Sequence, residues 1–155
     1  MCCFFGQPSH EHSVQVSNTS IFARMEREGV QLLAYAMRID AQNPVAMVLP
    51  VPARTELGES ALSFIDLSRH PNFFARLGLL FDRPLVMQAF GAQRERSAKL
   101  EVQKVGAFEA SYVPTVNDFG RLDDRFHVPG GTWERLPGAQ DGGFAVFQLE
   151  PGTAL

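Results

Sequence analysis

Eight consecutive residues, Val45-Ala46-Met47-Val48-Leu49-Pro50-Val51-Pro52, carry no charge and place β-branched side chains at Val45, Val48 and Val51. A continuous apolar run of this length reads as a strand buried on both faces. Its two prolines stand at alternate positions, and alternate residues of a strand turn their N–H groups toward the same neighbour. Two successive donors are therefore missing on one side. The ladder must end or run unpaired there, and the chain must leave the sheet.

A second long apolar segment precedes it. Val30 to Ile39 places Leu33, Tyr35, Met37 and Ile39 on one face and Val30, Leu32, Ala34 and Ala36 on the other. Both faces are apolar, so the segment reads as a central strand with something packed closely over the alanines. Asp40-Ala41-Gln42-Asn43-Pro44 is rich in turn formers, and the expectation is an antiparallel hairpin joining Val30–Ile39 to Val45–Val51 at the middle of the sheet.

The remaining periodicities fill in the chain. Val14 and Val16 alternate with polar residues as a short strand would, Ile21 to Met25 reads as another, and Glu26 to Gly29 as a hairpin turn. Phe64-Ile65 reads as a short strand or turn, Leu85 to Phe90 as a strand, and Leu100 to Val113 as the longest strand, with a bulge at Gly106 and a stop at Pro114. Gly143 to Leu149 is the last. A helix from about Pro71 to Leu80 carries an apolar stripe, Phe73, Phe74, Leu77, Leu80 and Phe81, expected to lie on the sheet. A second helix fits Asn117 to Phe126, with Thr115 or Asn117 as N-cap and Asp118 near its positive end. The expected class is α+β: a mainly antiparallel sheet with two short helices packed on it and long loops in the C-terminal half. All of 1–155 reads as one domain, ending soon after the last strand as a short or truncated form would.

With 155 residues the chain is large enough to bury roughly 70% of its unfolded surface. Fourteen basic against seventeen acidic residues give a net charge of −3, which asks for neither nucleic acid nor an anionic membrane as partner. No apolar run approaches the roughly 18 residues of a membrane helix, and no basic-then-apolar leader opens the chain. Two adjacent cysteines make no disulfide framework, so a reducing cytoplasm is the expected compartment, and the Asn18-Thr19-Ser20 triplet reads as coincidence.

Three groups of residues carry candidate chemistry. Removal of Met1 would leave Cys2 with the free α-amino group, whose reference pKa near 8 lets it serve as base for its own thiol in an N-terminal-nucleophile hydrolase. The competing reading makes Cys2 and Cys3 small buried hydrophobes beside Phe4 and Phe5. Cys2, Cys3, His10 and His12 are the cluster of soft ligands. His-x-His in an extended segment offers two imidazoles on one face to zinc or copper, although adjacent cysteines match no common zinc spacing. His127, near Asp123 and Asp124, reads as a cation at a helix C-terminus rather than an acid–base pair, and His70 as part of a helix start. Gly130-Gly131 and Gly142-Gly143 lack the strand–helix context of phosphate loops and read as turns.

Cys2 with Phe4-Phe5, then Phe22-Ala23-Arg24, then Val45 to Pro52, then Val105-Gly106 leading into a strand and a short helix stand in an order that resembles a bacterial family, the domain of unknown function 2330. Members open with a cysteine and aromatic residues, carry a strand ending in a Val-Pro-Val-Pro-like run, and later a Val-Gly strand leading into a helix. The resemblance implies an architecture and no reaction. Many members are exported, whereas this chain shows no leader, and similar longer chains continue past the equivalent of Pro151-Gly152. Since no motif fixes a reaction or a required cofactor, the expectation is a binding or assembly module, with self-association as one form. A Cys2 hydrolase and a zinc- or copper-binding segment stand as alternatives.

Overall fold

Among the described residues (2–6, 14–81, 99–105, 108–126, 128–131 and 142–151), the computed structural model contains seven strands, one α-helix and four short 3-10 turns. The strands are β1 (Cys3–Phe5), β2 (Gln15–Met25), β3 (Gln31–Asp40), β4 (Val45–Val51), β5 (Val102–Val105), β6 (Phe108–Val113) and β7 (Gly143–Leu149), and the helix α1 is Phe73–Leu80. Five strands form an antiparallel sheet in the order β1-β4-β7-β6-β5; β2 and β3 form a separate two-stranded ribbon. The class is α+β, mostly antiparallel sheet, as expected.

Strand β4 occupies the interior position its composition demands. Val45, Ala46, Met47 and Val48 are all buried, alternate residues serving opposite faces. Pairing with β7 runs from Val45–Leu149 to Val51–Gly143, whereas pairing with β1 stops at Val48–Cys3. Beside Pro50 and Pro52, β4 therefore has no described partner on the β1 side. One donor-poor edge is what the alternate prolines require.

The expected hairpin between Val30–Ile39 and Val45–Val51 is not formed. β3 pairs instead with β2, from Met25–Gln31 to Gln15–Asp40. The turn between them is the one read at Glu26 to Gly29. Glu26 N–H donates to the Val30 carbonyl at 2.7 Å, and Glu28 and Gly29 both take positive φ, 64° and 76°. Residues 41–44 then carry the chain from ribbon to sheet, so β3 and β4 meet in layers: Met37 and Ile39 pack on Val45, Met47 and Leu149. Stacking removes apolar faces from water, which side-by-side pairing alone would not do. The two short strands expected before the turn are one strand, β2, with an irregularity between Ser17 and Ser20 where Asn18 takes φ 52°.

The opposite face of the sheet carries Ala46, Val48, Val113, Phe144 and Val146 and is covered by Leu100 and Phe126, with Val116, Phe119 and Leu122 packed around them. Phe119 reaches the Phe144 ring at 5.1 Å. A third cluster, Val51, Tyr112 and Ala145, is covered by Ala53, Ala61, Leu62 and Phe64.

Three further expectations are corrected. Leu100–Val113 is not one bulged strand. β5 and β6 are two strands that pair antiparallel, from Val102 opposite Ser111 to Val105 opposite Phe108. The segment read as a helix from Asn117 to Phe126 is two 3-10 turns, Val116–Arg121 and Asp124–Phe126, split where Leu122 turns extended at ψ 142°. Of the stripe of helix α1, Phe73 meets Phe22 of the ribbon edge-on at 6.5 Å. Leu80 and Phe81 stay exposed. Phe64-Ile65 is irregular, its Phe64 ring resting on Phe147 at 5.6 Å. The strand read at Leu85–Phe90, His10, His12 and His127 lie outside the described residues.

Candidate functional site

Cys2 and Cys3 sit at the start of β1 and are half-buried. Cys2 packs with Phe4 against the cluster of Met37, Ile39, Val45 and Met47. Its sulfur shares a hydrogen bond with the Tyr35 hydroxyl, and burial first, then the Cys2 thiol, push the Tyr35 pKa up. Cys3 stands opposite Val48, whose side chain belongs to the other face. Strand alternation thus sends the two thiols to opposite sides of the sheet, and the structure does not bring them together. His10 and His12, the other proposed ligands, lie outside the described residues. Among the described residues no group of three or more His, Cys, Asp or Glu is placed to hold a metal ion.

A polar cluster that the sequence reading missed lies where β6 runs into the turn Val116–Arg121. Thr115 Oγ1 donates to Asp118 Oδ2 at 2.7 Å, and Arg121 Nη1 donates to Asp118 Oδ1 at 3.0 Å. Arg121 Nη2 also reaches Glu59 Oε1, in the turn Thr55–Ala61. One guanidinium therefore ties two surface turns together. Burial pushes the Asp118 pKa up, but the bonds from Thr115 and Arg121 and the Arg121 charge outweigh it, holding the carboxyl below its ordinary range. The spacing Thr115-x-x-Asp118-x-x-Arg121 was a visible signal; Glu59, 62 positions away, was not.

Beside this cluster Tyr112 is only 5% exposed, and its hydroxyl has no hydrogen-bond partner among the described residues. Burial, then the Asp118 carboxylate, push its pKa up to about 12. Its ring occupies the space a side chain at position 143 would need, so only glycine fits there. Chemically the group is a brace. Both Asp118 oxygens are engaged in it, and Tyr112 stays protonated at neutral pH.

A cleft of about 620 Å³ opens beside the same turns, lined by Asn117, Phe119, Leu122, Asp123, Asp124 and Val128 among others. Asp123 is held by Arg125, which donates from Nε at 2.9 Å and also bonds Glu109.

The remaining feature is a surface. Past Tyr35, the β3 face that buries Met37 and Ile39 continues into solvent. There Ile21 is 60%, Met25 63% and Leu33 43% exposed. Cross-strand register puts Ile21, Ala23, Met25, Gln31, Leu33 and Tyr35 on this one face, and none is charged. Charge gathers at the tip, where Arg24 pairs with Glu26 at 3.2 Å and Arg27 adjoins Glu28. Among the described residues, β2 and β3 pair only with each other. An exposed apolar face on an open-edged ribbon is the kind of surface that soluble chains ordinarily cover.

Among the described residues no helix is long and apolar enough to cross a membrane. No family model matches the chain, and no curated protein or solved structure matches it significantly.

Proposed function

We propose that the chain is an assembly module without a catalytic centre, and that a second copy of itself covers the outer face of the β2–β3 ribbon. The observation that carries this reading is the uncharged stripe of Ile21, Met25 and Leu33, left open on a face that is buried at its other end. A two-fold pairing sets an uncharged face against its own equivalent. The tip residues Arg24, Glu26, Arg27 and Glu28 sum to zero, so the same pairing meets no net repulsion. A patch of a few hundred Å² falls short of the roughly 800 Å² per partner of a stable complex. The association is therefore weak and concentration-dependent.

The surroundings of the cysteines favour packing over catalysis or chelation: Cys2 is engaged with Tyr35 among apolar side chains, and Cys3 faces the other way.

Sedimentation equilibrium over a wide concentration range tests the proposal, with the double variant Ile21→Glu/Met25→Glu as control. The wild type should rise from monomer toward twice its mass, while the variant stays monomeric with an unchanged melting temperature. A wild type monomeric at every concentration, or a variant that associates equally well, overturns it.

A further inference from the structure

We draw no further inference here: the strongest candidate, the buried Tyr112 hydroxyl at the Gly143 end of the five-stranded sheet, has no hydrogen-bond partner among the described residues but is not among the residues lining the cleft at Asn117, Leu122 and Val128, and nothing in the structure shows a ligand for it to meet.

Discussion

Strands β3 and β4 both carry long apolar runs, yet β4 is buried along most of its length and β3, whose outer face ends in Arg38 and Asp40, only at Met37 and Ile39. The difference lies in their neighbours. β4 has a strand on either side and a layer over each face. β3 has one partner strand, a core beneath its last residues and, past Tyr35, solvent over one face. Composition sets how much burial a strand can use; topology decides how much it receives. Stability should accordingly concentrate in the five-stranded sheet, and adhesiveness in the ribbon.

The largest expected effect tests that division directly. Phe144→Ala removes a fully buried ring between β4 and β6 and should cost about 3–5 kcal/mol in urea denaturation. Ile21→Ala, on the ribbon, should stay within about 0.5 kcal/mol. Equal losses would mean that the ribbon face is covered after all, and the contrast would fail.

Alkaline titration probes how tightly the sheet is closed at Tyr112. Its pKa is raised to about 12 in the fold against roughly 10 unfolded, so folding favours the protonated form. The contribution, about 2–3 kcal/mol by linkage, is complete below pH 10 and fades as pH climbs toward 12. Stability measured against pH should fall more steeply over that window in the wild type than in Tyr112→Phe, where Tyr35, also raised, still contributes. At neutral pH the phenylalanine variant should be no less stable, because the hydroxyl it removes has no partner among the described residues. A similar alkaline fall in both proteins would show that the ring is wet.

Gly143→Ala drives a methyl group into that same ring and should cost about 1–3 kcal/mol. Combined with Tyr112→Ala, the penalty should shrink; strict additivity in the double-mutant cycle would place the strain elsewhere. A smaller loss belongs to the surface tie. Arg121→Gln should cost about 1 kcal/mol, as part-exposed ion pairs do. The Asp118 carboxyl is depressed in the fold, so its contribution is present above the unfolded carboxyl pKa and lost as pH falls through the folded one. Asp118→Asn should flatten that acid limb; an unchanged limb would relieve Arg121 of its bracing role.

Much of the fold was legible because it is written locally. The apolar run from Val45 marked a doubly buried strand, its prolines marked the edge without a β1 partner, and Glu26 to Gly29 marked the β2–β3 turn. What could not be read was pairing across distance. β4 meets β7 nearly a hundred positions later, and no periodicity names that partner. Asp40 to Pro44 has the composition of a hairpin turn yet serves as a crossing between layers, since apolar faces satisfy a stacked arrangement as readily as a paired one. At 117–126, read as a helix, Phe119 and Phe126 do face the core. Yet 3-10 turns present nearly the same side as an α-helix over so short a stretch. The ribbon stripe was in plain view as Ile21, Met25 and Leu33, but exposure depends on what the rest of the chain leaves uncovered.

The position of β7 has a consequence for how the molecule is made. Translation delivers β7 after the other six strands, yet it lies between β4 and β6. The ribbon can close as soon as residues 15–40 leave the ribosome. The larger sheet, by contrast, must wait in two unjoined halves until Leu149 emerges. Contacts so distant in sequence slow folding and prolong the exposure of unpaired strands, and during that interval the nascent β4 and β6 are the natural clients of a chaperone.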